Sequence, residues 1–128
     1  MILDTTVLVD LQRELRRREP GAATDLLGRY ADEPVSVAFV TWMEFAEGYE
    51  DSRREDCERF LSPFPVLWPD IEVSWEASRI ARRLSAEGRA IGDHDAWIAA
   101  LGLRLDRPVV TRNEEHFRRV QGLDVWSY

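Results

Sequence analysis

Five polar side chains stand where a chain of alternating strands and helices would bring them together. Asp4 directly follows the apolar pair Ile2-Leu3, and Glu44 lies one helical turn beyond the run Val35–Val40. Asp93 and Asp95 open the apolar segment Ala96–Leu101, and Asn113 comes shortly after Pro108–Thr111. Asp4, Glu44 and Asp95 are embedded in apolar sequence, unlike most of the other charged residues. Carboxylates forced together out of water repel one another and lose hydration. A cation that neutralises them removes both penalties. An all-oxygen set without a Cys or His cluster suits Mg2+ or Mn2+ rather than zinc.

Each acid also has a purely structural explanation. Thr41-Trp42-Met43-Glu44 and Thr111-Arg112-Asn113-Glu114 both have the S/T-x-x-E spacing of a capping box. Asp4 and Asp93 have the chemistry of an N-cap, and Asp95 complements a helix dipole from the first turn. Spacing leaves metal binding and capping both open.

The elements that must position these residues follow from periodicity. Ile2-Leu3, Val35–Val40, Val66-Leu67-Trp68 and Pro108–Thr111 read as short strands, and Val125-Trp126 as a closing edge strand. Val7, Leu8 and Leu11 mark a first helix, broken by Pro20-Gly21, and Ala23, Leu26, Leu27 and Tyr30 mark a second. A third starts at Thr41. A charged stretch, Glu50 to Arg59, continues or restarts as a helix ending at Phe60-Leu61, before Pro63 and Pro65. Val73, Ala77, Ile80 and Leu84 give helical spacing from Glu72 to Glu87, with Gly88 at the C′ position. Trp42, Trp75 and Trp97 fall on helical core stripes. Strands separated by helices predict an α/β fold, with a central, mostly parallel sheet of four to five strands and helices on both faces. Ligands of such sheets bind beyond the carboxyl ends of the strands, where the acids are expected to gather.

The 128 residues suit one domain over residues 1–128. The formal charge of −7 argues against a nucleic-acid partner, which cationic surface would attract, although a bound cation inverts the local field. All 17 basic residues are arginine. A single cysteine, Cys57, excludes an internal disulfide. No run reaches the roughly 20 apolar residues of a membrane span, and the opening residues lack the pattern of a signal peptide, so a cytoplasmic location is expected. Two rival phosphate chemistries lack their residues. A receiver-type phosphoacceptor needs a lysine, and a dehalogenase-type phosphatase needs a second Asp where Thr6 stands.

Four segments resemble the motifs of PIN-domain nucleases, and of the VapC toxins in particular, in order and spacing. They are Ile2–Asp10, Thr41–Gly48, Ile91–Ala100 and Val110–Phe117, with Val120–Val125 continuing the usual ending. The resemblance implies a three-layer PIN sandwich and a metal-dependent endoribonuclease, the toxin of a VapBC toxin–antitoxin pair. It places Asp4, Glu44 and Asp95 on the family's acids. Asp4 and Asp95 would hold Mg2+ or Mn2+, and Glu44 would orient or deprotonate a water. The position of a frequent fourth acid carries Asn113, so Asp93 and Asn113 are auxiliary candidates. Thr5, Thr111 and Arg112 lie close enough to touch phosphate. Implied partners are RNA, a VapB-type antitoxin and a second copy in a homodimer, with DNA reached only through the antitoxin. The alternative is a catalytically silent PIN-like module that docks RNA or an antitoxin. His94 and His116 offer a metal-free acid–base pair, but neither belongs to a nucleophile constellation.

Overall fold

The computed structural model describes residues 1–128. Five short strands, β1 (Ile2–Leu3), β2 (Ser36–Ala38), β3 (Val66–Leu67), β4 (Val109–Val110) and β5 (Val125–Trp126), form one sheet in the order β3-β2-β1-β4-β5. All four pairings are parallel, so the sheet is wholly parallel rather than mostly so. Seven helices cover it: α1 (Thr5–Arg17), α2 (Ala22–Arg29), α3 (Phe39–Ala46), α4 (Arg54–Leu61), α5 (Ile71–Ala86), α6 (Asp93–Leu105) and α7 (Glu114–Phe117). A 3-10 turn, Asp51–Arg53, leads into α4. No helix is long and apolar enough to cross a membrane.

The period-two alternation of a strand sends neighbouring side chains to opposite faces. Ile2, Ala38 and Val109 therefore enter a core with Val73, Ala77, Ile80 and Leu84 of α5 and Ile98 to Leu101 of α6. Leu3, Val37 and Val110 enter a second core with Val7, Leu8 and Leu11 of α1, Leu26 of α2 and Leu61 of α4. Two cores, one on each face, make the expected three-layer sandwich. The three central strands, β2, β1 and β4, are fully buried, while the edge strands β3 and β5 are half-buried.

Four local expectations change. The run Val35–Val40 reads as strand throughout, yet β2 ends at Ala38 and α3 starts at Phe39, two residues before Thr41. Tertiary packing overrides the β propensity of Phe39 and Val40: Val40 enters the α5–α6 core, and Phe39 packs edge-on to Trp97 with ring centroids 5.5 Å apart. Thr41 then lies inside the helix, its buried hydroxyl has no partner, and no capping box forms with Glu44. Trp75 is 61% exposed, because Val73 and Ala77 take the inward face of α5 and Trp75 points the other way. The cap of α6 is Gly92, not Asp93.

Two stops behave as their chemistry requires. Gly88 adopts φ +66° after α5, and the Arg89 amide returns to the Leu84 carbonyl at 2.8 Å. Glu14 of α1 caps α2 from a distance, accepting the amides of Ala23 (3.0 Å) and Thr24 (2.8 Å). That leaves α1 and α2 tied together across the Pro20-Gly21 break.

Candidate metal site

Asp4 sits at the carboxyl end of β1, Glu44 within α3 just beyond β2, and Asp95 in the first turn of α6, which follows α5 rather than a strand. Asp4 is the residue between β1 and α1, with extended backbone (φ −77°, ψ 161°) and no capping bond to the helix it precedes. Its side chain instead turns into the sheet edge and is only 6% exposed. Asp4 Oδ2 accepts the Thr111 hydroxyl at 2.7 Å and the Thr6 hydroxyl at 3.0 Å. Burial pushes the Asp4 carboxyl above its ordinary value, the Thr111 and Thr6 hydroxyls and the Thr5 amide oppose this, and the negative charge of Asp95 adds to it. Asp95, in the first turn of α6, is thus near enough to Asp4 for its charge to be felt there.

Glu44 projects from α3 and is held at both oxygens. The Thr5 hydroxyl donates to Oε2, and His94 Nδ1 lies 2.5 Å from Oε1. Asp95 Oδ2 lies 2.9 Å from His116 Nδ1 on α7. Asn113 sits beside the same ring, its Nδ2 2.8 Å from His116 Nδ1. The chain thus gathers Asp4, Glu44, Asp95 and Asn113 at one sheet edge through hydroxyl and imidazole contacts. Asp93 does not join them: it is exposed and makes no side-chain hydrogen bond.

The three residues considered for phosphate contact have other partners. Thr111 is fully buried with its hydroxyl on Asp4, so a structural support replaces the expected phosphate contact. Thr5 is engaged with Glu44. Arg112 is paired with Asp10, Nε to Oδ2 at 2.8 Å, and its guanidinium lies 5.1 Å over the ring of Tyr128. Tyr128 donates to the same Asp10 oxygen at 2.9 Å, and burial together with that carboxylate pushes its hydroxyl up to about 12.

Four side chains join this constellation without being expected there as supports: Thr6, His94, His116 and Asp10. Thr6 had a signal, being a hydroxyl two residues from the first acid. His116 had only its place before a core Phe, since its partner Asp95 is 21 residues away in sequence.

The donor set fits a hard divalent cation. Asp4 is buried and protonated more readily than usual, Asp95 adds repulsion, and a cation held by both would relieve desolvation and repulsion alike. No group of three His, Cys, Asp or Glu side chains stands close enough to form a closed cage. Mg2+ does not require one, since it keeps several waters and is commonly held by one or two carboxylates. Both hydroxyl bonds to Asp4 fall on Oδ2, which leaves Oδ1 outside that pair.

Comparison with known proteins identifies the family. The PIN domain family profile matches residues 1–123. "Ribonuclease VapC1" of Methanocaldococcus jannaschii is 28% identical over 130 residues, spanning 99% of this chain and 87% of its own. "Ribonuclease VapC19" of Mycobacterium tuberculosis is 31% identical over 120 residues, spanning 91% and 90%. A crystal structure of VapBC2 from Rickettsia felis, bound to a DNA fragment from their promoter, matches at TM-score 0.82 over 99% of this chain and 97% of that one. Identity there is 18%, so that likeness is one of fold. With its sheet order, its strand-end acids and a family match over nearly its full length, the chain belongs to the PIN-domain family, on its VapC branch.

Proposed function

We propose that the chain is a metal-dependent endoribonuclease, the toxin of a VapBC-type pair. The observation that supports this reading is the gathering of Asp4, Glu44 and Asp95 at one end of the sheet, held by Thr111, by Thr5 with His94, and by His116 respectively. The names of the relatives support the reaction class. Asp4 and Asp95 would hold Mg2+ or Mn2+, and a bound divalent cation supplies charge neutralisation at a phosphodiester oxygen and a lowered pKa for water. Glu44, steadied by Thr5 and His94, accepts the proton of the water that attacks phosphorus. The P–O bond opposite the new one breaks, and the leaving oxygen departs.

The partners in this reading are RNA as substrate and a VapB-type antitoxin as inhibitor. A net charge of −7 suits an antitoxin segment carrying arginine or lysine into the acidic cleft. DNA is reached only through that antitoxin, and the toxin works as a homodimer in the cytoplasm. A second reading, a silent PIN-like binding module, draws on one observation: no three metal-ligating side chains are preassembled.

One experiment separates them. Purified protein is incubated with RNA in Mg2+ or Mn2+, beside an EDTA control and a folded Asp95→Asn variant. The nuclease reading expects cleavage lost in both controls. Cleavage that survives both would refute it, and failure to cut any RNA offered favours the binding module.

A further inference from the structure

Immediately beyond β4, one short loop touches both candidate metal ligands. Thr111 Oγ1 donates to Asp4 Oδ2 at 2.7 Å and itself accepts the Asn113 amide at 2.8 Å. His116, just past the other end of the loop, meets Asp95 Oδ2 at 2.9 Å. We propose that His116 is a positioning residue for metal binding, its Nδ1–H fixing Asp95 in the rotamer that presents its other oxygen to the ion. The inference rests on the metal-site reading above. It gives the fourth motif a different role, in which the segment orients the acids instead of adding one.

The local physics explains how such a short element can do this. A helix of four residues has no independent stability. α7 exists because Phe117 is 0% exposed and Val120 3% exposed, both set in the α5–α6 core. Phe117 thereby anchors its neighbour His116, whose side chain is 38% exposed while that of Asp95 is 20% exposed. An ionised carboxylate can only accept, so the ring must carry its proton on Nδ1. Nδ1 then cannot accept from Asn113. Asn113 must turn its carbonyl oxygen, not its NH2, toward the ring, an exchange of two atoms of similar size. Asparagine at this position is thus neutral, compatible with the imidazole N–H, and adds no charge that would compete with Asp95 for that proton. Hydrogen bonds that orient a ligating carboxylate typically change metal affinity by roughly 10–100-fold when removed.

The test is Mn2+ binding, measured by isothermal titration calorimetry on three full-length proteins whose folding is verified by circular dichroism. His116→Leu deletes the donor. His116→Asn retains an N–H at the same distance from the backbone as Nδ1. The expected result is a loss of about 10–100-fold in Mn2+ affinity for His116→Leu, with most of it recovered in His116→Asn. Equal affinity in wild type and His116→Leu overturns the proposal while leaving the metal site standing. Loss in both variants alike assigns the ring a packing role and also overturns it. Absence of Mn2+ binding by the wild-type protein removes the metal-site reading itself, and this inference with it.

Discussion

Replacing Asp4 by Asn should make the protein more stable and remove its activity, and the two effects have the same cause. Asp4 is 6% exposed, its carboxyl is raised by burial, and Asp95 adds repulsion. An acid whose folded pKa lies above its unfolded value of about 3.9 weakens the fold at every pH where it is ionised. The penalty is absent below the unfolded value, grows as pH rises between the two values, and is complete above the folded one. Each unit of elevation corresponds to about 1.4 kcal/mol. Asparagine carries no charge, and its side-chain oxygen still accepts the Thr111 and Thr6 hydroxyls. In EDTA at neutral pH, Asp4→Asn should therefore melt above wild type, with about 4 °C for each kcal/mol gained in a domain of this size. The difference should close as pH falls toward 4. Metal reverses the order: at 100 times its Kd, Mn2+ stabilises wild type by about 2.7 kcal/mol and leaves the variant unchanged. The assay is thermal unfolding by circular dichroism, with and without Mn2+, from pH 4 to 8. A variant that melts below wild type in EDTA at neutral pH would show instead that Asp4 is a satisfied structural acid, whose charge the fold accommodates without penalty.

Three further predictions concern one support of the site and two contacts of the fold. Thr111→Val keeps the shape but deletes the hydroxyl that donates to Asp4 and accepts from Asn113; stability should fall by about 1–3 kcal/mol in denaturant melts, and Mn2+ affinity by about 10–100-fold in calorimetry. Gly102→Ala in α6 would set its Cβ 2.7 Å from Leu123 Cδ1 and 3.1 Å from Val109 Cγ2. Overpacking between helix and sheet should cost about 1–3 kcal/mol, read as a lower urea midpoint. Glu14→Ala removes the distant cap on α2; a loss of about 1 kcal/mol is expected, with faster hydrogen exchange confined to the first turn of α2.

The layered fold was legible because its signals are local. Val73, Ala77, Ile80 and Leu84 repeat at helical spacing and do line one face of α5, and Gly88 stops the helix with the positive φ that glycine allows. Pairing order is legible only through topology rules: β1 lies in the middle of the sheet, beside strands far from it in sequence, and two-residue strands carry no register signal of their own. The start of α3 was not legible, since Phe39 and Val40 have the composition of a strand and are helical only because of what they pack against. For the site, the candidate acids could be named from their places at strand ends and helix starts, because each is attached to an apolar element of the fold. Their partners could not. His116 reaches Asp95 across 21 residues, His94 reaches Glu44 across 50, and Glu14 reaches α2 around a turn. Nothing in a side chain's neighbours in sequence encodes such a contact; it follows from how α6, α7 and α3 meet at one end of the sheet. Arg112, beside the site in sequence, pairs with Asp10 and lies over Tyr128 in space.

Whether Asp4 and Asp95 together hold a divalent cation decides the functional reading. A crystal of the protein soaked in MnCl2, with diffraction data collected for the anomalous signal of manganese, answers it directly. A peak is expected between the two carboxylates, about 2.1 Å from an oxygen of each, and none at that place in a crystal of Asp95→Asn treated the same way. A well-diffracting wild-type crystal with no peak between them, or with manganese bound only elsewhere, would contradict the assignment.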